Sequence, residues 1–245
     1  MTPELEPFTV VSLLPELLNT NGDVGNARVL AQRARWAGLD ARVVDVRTPA
    51  DVPDRVDAVV IGSGTDATLV PARDALLPLV DKLREWSTGG VPILAVGTGW
   101  ELLSWGIELD SGDVIEGLAL VAGRAVPRAV RATDDLVVTS KYGRLVGFEN
   151  HARGYVGAEA SPLGRVVKGT GNGGGQEGVV MGDVFCTHLH GPVLARNPRL
   201  ADHILTVAMS RAEAAYVPGA RSAAVDEIAK AALNQIAVRL GLGSD

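Results

Sequence analysis

Short apolar runs alternate with amphipathic stretches over the first hundred residues. Phe8 to Leu14 is an apolar run of strand length, and Ala41 to Val46, Asp57 to Ile61 and Pro92 to Val96 are three more. Between the first two, Ala27, Leu30, Ala31 and Ala34 fall at helical spacing, behind Asn26 and ahead of Gly38. Leu76, Leu79, Val80 and Leu83 likewise predict a helix over Ala75 to Trp86. Such strands alternating with helices predict a right-handed, mostly parallel α/β sheet. After about Ile107 the pattern changes. Val114 to Val121, Leu136 to Val138, Leu145 to Phe148 and Gly178 to Met181 are short runs between Gly, Asp and Lys turns, which predicts a β-rich, antiparallel second half. Val184 to His190 reads as a strand ending in a turn, and a helix follows from Pro198 to Ala214. The tail from Ser222 to Leu240 predicts a last amphipathic helix with Val225, Ile228, Ala229, Ala232 and Ile236 on one side. The expected division is one α/β domain over 1–215 and a C-terminal helical extension over 216–245, packed on that domain or on a partner.

The fourth strand stops abruptly at Gly97-Thr98-Gly99, before Trp100, Leu102 and Leu103 begin a helical pattern. Strand, tight turn and helix make an elbow. Its tip lies at the carboxyl end of a parallel strand, where open α/β sheets place their chemistry. Gly97 at the tip tolerates strained dihedrals but has no side chain to act as nucleophile, acid or base. Gly62-Ser63-Gly64-Thr65-Asp66, after the third strand, is a second turn able to present backbone N–H groups.

Composition narrows the function classes. The 245 residues are 47% hydrophobic, enough to bury a sizeable core, and the net charge of −6 comes with scattered Lys and Arg. That is no footprint for nucleic acid. No apolar run approaches the roughly 18 to 20 residues needed to cross a bilayer, so no direct membrane insertion is expected. The start of the chain lacks the basic and apolar regions of a signal peptide, and one cysteine excludes an internal disulfide. The expected compartment is the cytoplasm.

Two further groups could carry chemistry. Gly169 to Gly178 contains a formal GxGxxG, but no helix pattern opens after it, so it reads as a turning loop rather than a dinucleotide site. Cys186, His188 and His190 share one face of a strand. At about 3.3 Å per residue they spread over roughly 13 Å, too far for a tetrahedral zinc centre. Cys186 and His188 therefore read as packing residues. His190, at the strand end before Gly191-Pro192, either serves a site or is an ordinary loop histidine.

Six stretches, in order, carry a family resemblance: Leu14 to Asn26, Gly62 to Asp66, Ile93 to Leu103, Gly147 to His151, Gly171 to Gly178 and Thr187 to Pro192. Together they resemble the CobB/CobQ-like branch of the class I glutamine amidotransferases, in particular its GatD-like glutaminase subunits. Those subunits pair with a Mur-ligase-like (MurT-like) partner to amidate D-glutamate in lipid II. The resemblance implies a flavodoxin-like sheet flanked by helices. It also implies attack on the carboxamide of glutamine by an elbow cysteine assisted by a histidine, with no cofactor and no metal. His190 matches the family histidine, and Arg131 an arginine near the glutamine site. Gly62, Gly64 and the N–H of Thr98 match the oxyanion pocket. The family elbow resembles Cys-Gly-Gly-Tyr-Gln, whereas this chain has Gly97-Thr98-Gly99-Trp100-Glu101. The nucleophile position is thus Gly97, which is not competent. Glu101 adds a negative charge that needs a compensating cation such as Arg131. A non-catalytic binding or regulatory subunit is the alternative to an amidotransferase subunit. A third reading makes His190 and Glu101 an acid and base pair of an unrelated enzyme.

Overall fold

A computed structural model describes residues 6–243. β1 (Phe8–Leu13), α1 (Gly25–Trp36), β2 (Ala41–Val46) and β3 (Ala58–Ile61) follow the expected alternation. α2 (Asp66–Leu76) comes next, and one tight turn at Leu77–Leu79 joins it to α3 (Val80–Thr88). The helix expected from Ala75 thus begins at Asp66. Pro71 lies inside α2, whose inward residues Leu69, Ala72 and Leu76 keep the helical spacing across it. β4 (Ile93–Val96) enters the elbow and α4 (Thr98–Leu103) leaves it.

The second half holds β5 (Gly106–Glu108), β6 (Val114–Glu116), β7 (Arg124–Ser140), β8 (Gly143–Val156), β9 (Gly164–Lys168), β10 (Gln176–Glu177), β11 (Val179–Met181) and β12 (Val184–Thr187). α5 (Val193–Arg196), α6 (Pro198–Ser210) and α7 (Ala220–Arg239) follow. The run expected over Val114 to Val121 is strand only to Glu116. The runs at 136–138 and 145–148 are parts of one long hairpin, β7 with β8, whose register shifts between Pro127 and Ala132. Much of β7 is charged and exposed, so its outer half has no apolar signature.

The first sheet has the order β11-β12-β4-β3-β1-β2 and is parallel except for β11. β1, β3, β4 and β12 are buried along their whole length. Period-two alternation sends their side chains into two cores. Val11, Val59, Ile61, Ile93 and Ala95 meet Leu69, Leu83, Trp86 and Trp100 on one face. Val10, Val60, Leu94 and Val96 meet Leu30, Ala34, Ile204 and Leu205 of α1 and α6 on the other. The second sheet, order β10-β9-β7-β5-β6 with β8 on β7, is antiparallel apart from β5 beside β7. Among the described residues no helix is long and apolar enough to cross a membrane.

α7 buries only part of the face its apolar residues mark. Ser222, Ala229 and Ala237 are buried, while Val225 and Ile228 face solvent. A buried cation ties the helix to α1 and α6. Arg33, 3% exposed, holds Asp202 of α6 at 2.7 Å and Asp226 of α7 at 2.7 Å. Burial works against the charge on Arg33, but the hydrogen bonds it donates to both carboxylates outweigh this and hold its pKa above the ordinary value.

Candidate active site

Parallel strands end on one edge of the first sheet, and the loops beyond β1, β3, β4 and β12 converge there. This is where a doubly wound sheet opens a crevice. A cavity of about 280 Å³ is lined by Thr20 and Asn21 after β1, Ser63 to Asp66 after β3, Gly97, Thr98 and Glu101 at the elbow, and His190 after β12. The hairpin supplies Arg131 and Asn150 to Arg153. The cavity therefore gathers Gly64, Gly97, Thr98, Glu101, Arg131 and His190. Gly62 stands one layer behind, its carbonyl accepting the N–H of Gly99 at 3.1 Å. A Cβ at Gly99 would lie 2.4 Å from that same oxygen, so only glycine lets the elbow lie this close to β3.

Gly97 has φ 51° and ψ −118°. This is the strained tip of a nucleophile elbow, a conformation that costs a residue with a side chain about 1 to 3 kcal/mol. The backbone geometry is present and the side chain is not. Thr98 turns aside, its Oγ1 donating to the Gly64 carbonyl at 3.1 Å.

His190 is aimed at the elbow. Its Nδ1 lies 3.2 Å from Asp23 Oδ2 and 3.1 Å from the Asn21 amide. Asp23 Oδ2 only accepts, so that contact puts the proton on Nδ1 and leaves Nε2 a lone pair when the ring is neutral; Asn21 Nδ2, itself a donor to Ser63 Oγ at 3.0 Å, then touches Nδ1 without hydrogen-bonding it. That Nε2 is buried and has no hydrogen-bond partner among the described residues. Asp23, fully buried, also accepts the N–H groups of Ser63 at 3.2 Å and Gly191 at 2.8 Å, which ties three strand ends together.

Glu101 does not project into the cavity as a free base. Arg153 Nε lies 3.0 Å from each of its oxygens, and Arg153 Nη2 reaches Asp66 at 2.6 Å. Burial opposes the charge on Arg153, and the two carboxylates more than offset this, so its pKa is raised. The cation that compensates Glu101 is Arg153, from β8. Arg131 instead donates to the Asn150 side chain at 2.8 Å. An acid and base pair of His190 with Glu101 has no support in this pairing.

Behind the cavity lies a second polar layer. His151 Nε2 donates to Glu149 at 3.1 Å, and the ring stacks on His188 with centroids 3.9 Å apart. Glu149 also accepts the N–H groups of Thr170 and Gly171, which fixes the glycine-rich loop, and no helix follows that loop. His188 faces Glu177, not His190. Burial and the neighbouring His151 push its pKa down to about 4. Cys186 is fully buried among apolar residues, and burial raises its thiol pKa. Among the described residues no group of His, Cys, Asp or Glu is placed to hold a metal ion.

Asp23, Asn21, Ser63 and Arg153 were not singled out by spacing or residue type. Asn21 and Asp23 had one usable signal, a polar loop directly after a buried strand. Arg153 had none, because its place depends on the hairpin fold.

A parallel sheet of this order with an elbow, a strand-end histidine and a polar cavity between them defines the class. The chain matches the CobB/CobQ-like glutamine amidotransferase domain over residues 9–198 and belongs to that family. Within it, the chain is 29% identical over 218 residues to the GatD subunit of the glutamine-hydrolysing lipid II isoglutaminyl synthase of Staphylococcus aureus (strain N315), covering 87% of this chain and 89% of that protein. It is also 29% identical over 211 residues to the corresponding GatD subunit of Streptococcus pneumoniae (strain ATCC BAA-255 / R6), covering 83% and 81%. In fold it is similar to a chain of PurLQS from Thermotoga maritima, at a TM-score of 0.57 and 13% identity, covering 82% of this chain and 98% of that one.

Proposed function

We propose that this chain is the amidotransferase-type subunit of a cytoplasmic complex that amidates lipid II D-glutamate with a Mur-ligase-like (MurT-like) partner, and that its thiol-dependent glutaminase step is lost at Gly97. The GatD relatives support the pathway. The observation that carries the loss is the elbow, where the strained tip and the aimed His190 remain but nothing at residue 97 can attack. A cysteine there would form a covalent intermediate that divides amide hydrolysis into two easier steps. Without one, an oxyanion pocket alone leaves about 10³ to 10⁴ over water in triad enzymes stripped of a nucleophile. In this reading Gly62, Gly64, Thr98, Glu101 and Arg131 form or border the pocket that received the amide.

The test is ammonia release from glutamine by the purified chain, alone and with a Mur-ligase-like (MurT-like) subunit. No release above buffer, together with a stable complex at micromolar concentration, is the expected result. Robust glutamine-dependent release abolished by His190→Gln would overturn the loss, and a monomer that ignores the ligase would overturn the pathway. The intact polar cavity favours one second reading, a non-catalytic subunit that binds a small amide or amino acid to regulate its partner. Calorimetric titration with glutamine separates the two.

A further inference from the structure

The space a residue-97 side chain needs is already taken. A Cβ added at Gly97 would lie 2.6 Å from His190 Cε1, 2.9 Å from Ser63 Cβ and 3.4 Å from His190 Nε2. These neighbours differ in how they can yield. The imidazole is the end of a rotatable side chain and can tilt, although Asp23 anchors its Nδ1. A Cβ has no rotamer, because its position follows from its own backbone. The Ser63 backbone is held at both ends, its N–H by Asp23 at 3.2 Å and its carbonyl by the Thr20 N–H at 2.8 Å. Ser63 Oγ is held in turn by the Asn21 amide at 3.0 Å. Ser63 is the rigid wall.

The same geometry accounts for the unpartnered nitrogen. With 3.4 Å from Nε2 to the Cβ position, an atom one bond further out comes within hydrogen-bond reach of Nε2. The buried lone pair is aimed at the place of a side chain that is not there.

We propose that Ser63 and Gly97 form a steric pair, so that the elbow accepts a nucleophile only when residue 63 is reduced to glycine. This rests on the reading that Gly97 has removed the thiol chemistry. It makes residue 63, not residue 101, the position that decides whether the elbow can be reopened, since Glu101 is already neutralised by Arg153. In a Gly97→Cys, Ser63→Gly chain, the thiol proton passes to His190 Nε2 while Asp23 holds the Nδ1 proton. The thiolate then attacks the methylene carbon of an iodoacetamide, forming the S–C bond as iodide leaves with its electron pair.

The experiment compares the unmodified chain with Gly97→Cys, Gly97→Cys/Ser63→Gly and Gly97→Cys/Glu101→Gln. It measures iodoacetamide labelling by intact mass across pH, and the thermal midpoint of each. The unmodified chain gives the background of the buried Cys186. The Ser63→Gly double variant is expected to label near neutral pH at least about tenfold faster than an ordinary cysteine, because a depressed pKa raises the thiolate share. Adding His190→Gln should abolish that advantage. Gly97→Cys alone should melt lower and label at or below the ordinary rate, and Glu101→Gln should not rescue it. Equal melting and labelling of the single and Ser63→Gly variants would overturn the pair, as would rescue by Glu101→Gln alone. If the single variant does not fold, recovery of the fold by Ser63→Gly supports the pair, and failure of both overturns it. Fluorophosphonate labelling of Ser63 in the unmodified chain would also overturn it, by making that hydroxyl reactive instead of obstructing. Ammonia release by the unmodified chain would sink the underlying reading, whereas these labelling rates decide the steric pair alone.

Discussion

Arg153→Met tests whether the ion pair beneath the cavity holds the elbow helix in place. Glu101 is 3% exposed, and Arg153 Nε serves both of its oxygens at 3.0 Å. Removing the guanidinium leaves a buried carboxylate without its counter-charge, which costs about 3 to 5 kcal/mol. Asp66, with its side chain 64% exposed, is rehydrated on losing its partner and adds at most about 1 kcal/mol. For a chain of this length 1 kcal/mol moves the melting point by about 2 to 4 °C, so the variant should melt roughly 6 to 20 °C lower. The loss should depend on pH with a definite sign. The stranded carboxyl stays buried most cheaply by holding a proton, so the variant's deficit relative to the unmodified chain is smallest in acid and grows as pH rises toward neutrality. Urea denaturation near pH 5 and near pH 8 measures this. The double variant Arg153→Met/Glu101→Met should regain most of the loss, since an apolar pair of similar volume can replace a buried ion pair. A single-variant loss under about 1 kcal/mol, or a double variant no more stable than the single one, would refute the reasoning.

Two other expectations follow from buried charge. His188 has its pKa lowered to about 4, so it stays neutral in the fold but takes up a proton when unfolded below about 6.5. Its stabilising contribution is present above that value and should be lost as pH falls toward 4, by about 3 kcal/mol, and His188→Gln should flatten that slope in urea midpoints. Glu177 continues the trend at lower pH. Burial opposes its ionisation, but His188 and Thr187 outweigh it and lower its pKa, so its contribution also vanishes on acidification. Arg33→Met should release α7 and expose its start to trypsin at Arg221, with a loss of about 1 to 3 kcal/mol because both aspartates remain partly hydrated. Unchanged cleavage rates would show that apolar packing, not the charge clamp, holds the helix.

The parallel core was legible because its strands are buried on both faces and read as continuous apolar runs. The elbow was legible for a related reason, since an apolar run broken by Gly97-Thr98-Gly99 has few other outcomes. The helix start at Asp66 was hidden by Pro71, which reads locally as a breaker. The inward face of α7 was legible only in part, because Val225 and Ile228 outweigh Asp226 in hydropathy, while the fold sets Asp226 against Arg33.

The chain by itself determined that residue 97 has no nucleophilic side chain, since no fold can add one, and that His190 lies just past a strand. Only the tertiary structure decided what surrounds them. Asp23 and His190 are 167 positions apart, and Glu101 and Arg153 are 52 apart. Such pairs meet because parallel strands end on one edge and a long hairpin folds over it, a closure that no local period records. The cation for Glu101 was therefore sought at Arg131 and found at Arg153. The space beside Gly97 is a property of three loops at once, which is why Ser63, unremarkable in its own turn, stands against the elbow.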